Sequence, residues 1–154
     1  MEYHQYGLKP YAYIKENYDA INLDATITLG NVQELFKQQL NSDSMLFEDY
    51  LKRKIVLKKN VFNTHTQNDV YVKEKRHQLF AKVQETLSSA DEVYFFKYKE
   101  KKFQTRYIKF YNDAAMVVNT STGINNIEVN TWYDMKDNEA VNRTGYLIHR
   151  KNRK

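Results

Sequence analysis

The chain predicts an α+β fold, with N-terminal helices packed on one face of a C-terminal four- to five-stranded antiparallel sheet. The last third, Asp91 to Arg150, breaks into short runs rich in Val, Ile, Tyr, Phe and Thr with turn residues between them. The first half instead repeats apolar residues at helical spacing. With 154 residues, 42% hydrophobic and 28% charged, the chain is large enough to bury one core without staples. A single domain, 1–154, is therefore expected, with 1–20 as an arm and 27–151 as the folded unit.

In chain order, Met1 to Tyr18 mixes tyrosines with polar residues around Pro10 and gives no clear period. From Asn22 to Leu29 the alternation Leu23, Ala25, Ile27, Leu29 suggests a short strand closed by Gly30. Val32, Leu35, Phe36 and Leu40 share one side of a helix over Asn31 to Leu40. A second helix is expected from a Ser42-Asp43-Ser44 cap to Lys54, because Leu46 with Tyr50 and Phe47 with Leu51 form i, i+4 pairs. Ile55-Val56-Leu57 reads as a buried strand or extended link, and Asn60 to Asn68 as a polar loop. Asp69 offers an N-cap for a long third helix, Val70 to Ser88, whose apolar face holds Phe80, Val83 and Leu87 and whose wet face holds Lys73, Glu74, Lys75 and Arg76. Strands follow at Val93 to Lys99, Gln104 to Tyr111, Ala114 to Thr120 and Asn126 to Tyr133. The turns between them are Glu100-Lys101-Lys102, Asn112-Asp113 and Ser121-Thr122-Gly123.

Composition removes several kinds of chemistry. There is no cysteine, so disulfides, thiolate metal sites and cysteine nucleophiles are excluded. Four scattered glycines form neither a dinucleotide nor a P-loop pattern. The four histidines, His4, His65, His77 and His149, are not paired at ligand spacing, so no metal and no cofactor is called for. No apolar run reaches membrane-span length and the polar start has no export signal, which sets the expectation of a soluble chain acting in the cytoplasm without a membrane. The formal charge of +5, concentrated in Leu51 to Asn60 and in the tail, suits a phosphate-bearing partner as well as a solvated face.

What remains is chemistry by His, Lys, Arg, Thr and Tyr. Cleavage of RNA by its own 2′-hydroxyl needs only those groups: a base, an acid and cationic donors for the pentacoordinate phosphate. His65 lies beside Thr64 and Thr66. His77 falls about 60° round the helix from Phe80, a boundary position. Thr131 and Tyr133 alternate with Ile127 and Val129, with Trp132 on the other side. Arg106 alternates with Ile108 and Phe110, whereas Tyr107, Lys109 and Tyr111 form a basic aromatic side that helices are less expected to cover. Periodicity alone does not say which side meets the helices.

The order of these segments, Phe62-Asn63-Thr64-His65, Ala90-Asp91-Glu92-Val93-Tyr94, Arg106-Tyr107-Ile108-Lys109, Val129-Asn130-Thr131-Trp132-Tyr133 and Gly145-Tyr146-Leu147-Ile148-His149-Arg150, resembles the barnase, EndoU, colicin D and RelE superfamily of nuclease domains. The likeness is to its phage-encoded and polymorphic-toxin branch and spans Ile27 to Lys151. Ala90 departs from it, standing where a proline is expected. The resemblance implies a metal-independent endoribonuclease of toxin or effector type, acting on RNA, tRNA among the candidates, with an immunity or antitoxin protein as partner. It implies His65 as acid/base, Thr131 and Tyr133 as the hydroxyl and aromatic positions, and Arg106 and Lys109 as phosphate-binding candidates. With Lys109 counted among the catalytic candidates, Arg106, Tyr107, Trp132 and Arg150, displayed on the same meander, are the expected substrate contacts. Two other readings stand beside it: a binding module for RNA or single-stranded DNA without catalysis, and a phage structural or interaction protein.

Overall fold

The structure is a computed structural model that describes residues 1–39, 43–98, 102–123 and 126–151, without the side chains of 69, 72 and 98. Its frame is one seven-stranded sheet: β1 (Ser44–Glu48), β2 (Lys54–Lys58), β3 (Glu92–Tyr98), β4 (Lys102–Phe110), β5 (Ala115–Thr122), β6 (Ile127–Asp134) and β7 (Tyr146–Arg150). The spatial order is β1-β2-β6-β5-β4-β3-β7. Neighbours run antiparallel except β2 and β6, which pair in parallel and bring the N-terminal hairpin onto the meander. The fold is α+β as expected, but the sheet is larger than four or five strands and is mixed.

β1 and the turn after it are the segment expected to be the second helix. Met45 is buried and Phe47 half-buried on one face while Leu46 is 66% exposed, a period of two rather than 3.6. The turn is set by Asp49, whose carboxylate accepts from the backbone N–H of Leu51 and Arg53 and from Arg53 Nε, with Lys52 in the left-handed region at φ 65°. Ile55 and Leu57 are fully buried in β2, as the extended reading had it. Asn22 to Leu29 is not a strand. The helix expected over Asn31 to Leu40 is reduced to α2 (Val32–Leu35), and Leu40 lies outside the described residues, as does the Glu100-Lys101 turn.

The expected polar loop is a helix, α3 (Lys59–Gln67). Thr64 Oγ1, His65 Nδ1 and Thr66 Oγ1 each bond the carbonyl four residues back, on Asn60, Val61 and Phe62. Those back-bonds satisfy the polar side chains that make the segment look loop-like. The long helix is broken into α4 (Asp69–Val72), α5 (Arg76–Leu79), a 3-10 turn and α6 (Val83–Ser88), with Lys75 at φ 57° between α4 and α5. Asn68, not Asp69, caps α4, its side chain accepting from Val70 N–H.

Helices and the arm cover opposite faces. On one, Val32, Phe62, Phe80, Val83 and Leu87 pack on Tyr107, Tyr111, Met116, Val118 and Trp132. The side carrying Tyr107, Lys109 and Tyr111, expected to be open, is therefore the helix-covered one. The Tyr107 hydroxyl donates to Asp49 and that of Tyr111 to Glu85, so each phenol finds a partner beneath the helices. On the other face, Tyr3, Tyr6, Tyr11, Ile14 and Tyr18 of the arm, which contains α1 (Tyr11–Ile14), close over Tyr94, Ile108, Phe110 and Val117. At φ 111°, Gly145 launches β7 where an added Cβ would lie 3.0 Å from the Phe95 carbonyl oxygen. No helix among the described residues is long and apolar enough to cross a membrane.

Burial of the tyrosines gives stability an alkaline limit. Desolvation, helped by nearby carboxylates, pushes the phenol of Tyr11 up to about 12 and those of Tyr94, Tyr107 and Tyr111 higher still. An unfolded chain loses these protons near pH ~10 while the folded one keeps them, so stability falls as pH rises through that region. The thermal midpoint is expected to drop steadily above pH ~10, with a shallower drop in Tyr107→Phe. A midpoint unmoved at that pH would contradict the assignment.

Candidate active site

The site forms where α3, the α4–α5 turn and the end of β6 meet. Nδ1 of His65 lies 2.8 Å from the Val61 carbonyl, an acceptor only, so Nδ1 carries the proton and Nε2 the lone pair. The ring stacks on Tyr71 at 4.8 Å and 11° and lies 5.0 Å from Trp132. It is 8% exposed. Burial first, and then the charge of Arg76, hold its pKa below the usual histidine value, against the opposing bond to Val61, so the imidazole is neutral at pH ~7.

Arg76 connects the histidine to the sheet. Its guanidinium sits 4.3 Å from the centre of the Tyr71 ring and 5.4 Å from that of Tyr133. Nη1 donates to Thr131 Oγ1 at 2.7 Å, Nε and Nη2 meet Glu74 at 2.9 and 2.7 Å, and its carbonyl accepts from Trp132 Nε1 at 2.8 Å. The break after Lys75 is what lets the arginine make these contacts from the first residue of α5.

Thr131 and Tyr133 reach this place through a β-bulge. Asn119 pairs with Thr131 but Thr120 pairs with Val129, leaving Asn130 as an extra residue in β6. Regular alternation would put Thr131 on the face of Val129; the bulge places Val129 and Trp132 together in the helix-side core and turns Thr131 and Tyr133 to the other side. The Tyr133 hydroxyl donates to Asn142 Oδ1 on α7 (Glu139–Asn142). Burial pushes its phenol up despite Arg106 and Arg76 nearby, so it keeps its proton. Glu74, Arg76, Tyr133 and Asn142 line a cleft of about 300 Å³.

The other candidates stand elsewhere. Arg106 is 7% exposed, its Nη1 donating to the carbonyls of Val141 and Asn142 and its Nε to Asn119, so it ties α7 to the sheet behind Tyr133. Lys109 lies on the helix-covered face with its Nζ 5.5 Å from the Tyr111 ring, not with His65. Tyr107 and Trp132 are fully buried and offer no face to a base. Arg150 is on β7, four strands from β6 and thus roughly 19 Å across the sheet. His149 stacks on Tyr50 at 4.2 Å, and His77 is buried with an Nδ1 that has no partner among the described residues. Sequence reasoning missed Arg76, Tyr71, Glu74 and Asn142. Helical periodicity puts Arg76 on a wet helix face, and nothing local marks the break that turns it inward.

Residues 31–150, which include every strand of the sheet and the helices that cover it, match a family of nucleases of the barnase, EndoU, colicin and RelE type. The chain belongs to the phage-Barnase-EndoU-ColicinE5/D-RelE like nuclease2 family. The match starts after the tyrosine-rich arm. Searches of curated proteins and of solved structures give no match.

Proposed function

We propose that the protein is a metal-independent endoribonuclease that cuts RNA by attack of its own 2′-hydroxyl. The observation that carries this reading is the unbroken contact series His65, Tyr71, Arg76, Thr131, which links a neutral imidazole to a cation and a hydroxyl, with Arg76 and Tyr133 lining the neighbouring cleft. His65 Nε2 takes the 2′-hydroxyl proton as the 2′-oxygen bonds phosphorus. Arg76 and Thr131 hold the non-bridging oxygens as negative charge builds on them. The bond from phosphorus to the 5′-oxygen breaks, and that oxygen leaves as an alcohol by taking the Tyr133 hydroxyl proton, which the tyrosine regains from water. The product is a 2′,3′-cyclic phosphate. DNA lacks the nucleophile and is bound without being cut.

Membership of a toxin-like nuclease family supports a role as an RNA-cleaving effector held in check by an immunity or antitoxin protein. A non-enzymatic nucleic-acid binder is the second reading, favoured by the 8% exposure of His65. Incubation with total RNA in EDTA, followed by end mapping and a test for 2′,3′-cyclic phosphate, separates the two. Cyclic ends are expected; RNA that is bound and recovered intact would leave the binder.

A further inference from the structure

Arg76 has no guanidinium nitrogen left over. Nη1 is committed to Thr131, while Nε and Nη2 both meet Oε2 of Glu74. The edge formed by Nε and Nη2 presents two parallel N–H groups, the geometry that grips a phosphate, and the end-on edge is interrupted by the bond from Nη1 to Thr131. A phosphodiester that reaches Arg76 on this edge has to displace a carboxylate already seated there.

Depth and backbone say that Glu74 is the partner able to leave. The Arg76 side chain is 11% exposed and that of Glu74 41%, so the carboxylate covers the cation on its solvent side. Thr131 is fixed within β6, between its ladder bonds. Glu74 instead sits in the three-residue turn between α4 and α5, next to Lys75 in the left-handed region at φ 57°, a conformation costly for a side chain-bearing residue. Among the described residues its carboxylate bonds only to Arg76, and a half-exposed ion pair is weak.

We propose that Glu74 is a built-in stand-in for the substrate phosphate, occupying the Nε/Nη2 edge of Arg76 in the free protein and yielding it to a phosphodiester. This rests on the placement of Arg76 as the phosphate contact of the nuclease site. The carboxylate keeps a partly covered cation paired at rest and discriminates against weakly bound anions, because only a ligand with further contacts to the cleft outcompetes it. Glu74→Gln removes that competition and leaves the arginine edge available.

The test titrates inorganic phosphate, and separately an all-2′-deoxy oligonucleotide that cannot be cut, into isotope-labelled protein while following the backbone amide resonances of Thr131 and Tyr133 and, wherever the arginine is present, the Arg76 Nε–H resonance. Glu74→Gln is expected to bind both about two- to five-fold tighter than the unmodified protein, the range set by a weak, half-exposed ion pair. Glu16→Gln, the same charge change in the arm, controls for net charge and is expected to show no such gain. Adding Arg76→Ala to Glu74→Gln is expected to abolish the gain. Equal or weaker binding by Glu74→Gln, an equal gain in Glu16→Gln, or an Arg76 resonance indifferent to both ligands would overturn the proposal. Cleavage plays no part in the readout: a protein that shows the gain yet cuts no RNA keeps the stand-in and loses the nuclease mechanism, and the converse holds for one that cuts RNA without the gain.

Discussion

Replacing His65 by alanine is expected to lower RNA cleavage by about 10²- to 10⁴-fold, the range for loss of a positioned acid or base, while RNA affinity stays within a few-fold. The two readouts separate because the imidazole acts on the 2′-hydroxyl proton, whereas Arg76 and Thr131 hold the phosphate. The truncation also removes a ring packed on Tyr71 and Trp132, so the thermal midpoint has to be recorded alongside. A loss of rate that exceeds any loss of folded protein is the expected result. The pH profile adds a check that simple loss of packing cannot imitate. Burial and the Arg76 charge hold the His65 pKa down, so kcat/KM is expected to rise with pH through a limb lying below pH ~6.5. Neutralising the guanidinium by Arg76→Gln is expected to move that limb upward. Cleavage retained in His65→Ala, or a limb unmoved by Arg76→Gln, would transfer the base role to another group.

The meander was legible because its information is local. Runs of β-branched and aromatic residues with turn residues between them place β3 to β6 within about two residues of the expected strands, the accuracy that element ends allow. The hairpin was not legible, although Asp49 carried a signal: its carboxylate makes an Asx turn, while Leu46 and Tyr50 imitate a helical pair. The helix break at Lys75 has no local cause, since Lys73, Glu74 and Lys75 are ordinary helix formers. Its cause is distant, in the bonds that Trp132 and Thr131 make to Arg76. For the same reason the site was read only in part. Resemblance pointed to His65, Thr131 and Tyr133, and the structure joins them through Arg76, a residue that looked like solvent-facing charge. The bulge at Asn130, which re-aims Thr131, leaves no trace in the pattern of strand residues.

The largest expected loss of stability lies away from the cleft, at Arg143. Its side chain is fully buried, with Nε and Nη2 on the two oxygens of Glu92 at 2.8 and 2.6 Å, and Nη1 on Glu139 at 2.7 Å and on the Lys9 carbonyl at 2.8 Å. Its plane lies 4.0 Å from the Tyr3 ring centre, and the Tyr94 hydroxyl donates to the same Glu92. One guanidinium thus joins β3, α7 and the arm, and the two carboxylates hold its proton more firmly than in water. Arg143→Ala strands Glu92 in the interior, which costs about 3 to 5 kcal/mol for a buried pair broken on one side. In a chain of this length that corresponds to a thermal midpoint lower by roughly 6 to 20 °C. Arg143→Lys is expected to recover little, because an ammonium cannot make two parallel bonds to one carboxylate and a third to another. Arg143→Met with Glu92→Gln, by contrast, removes both charges and is expected to be more stable than Arg143→Met alone, a sign that marks the stranded carboxylate as the source of the loss. A midpoint for Arg143→Ala within a degree or two of the unmodified protein would mean that the arm and α7 are held by their tyrosine and backbone contacts alone.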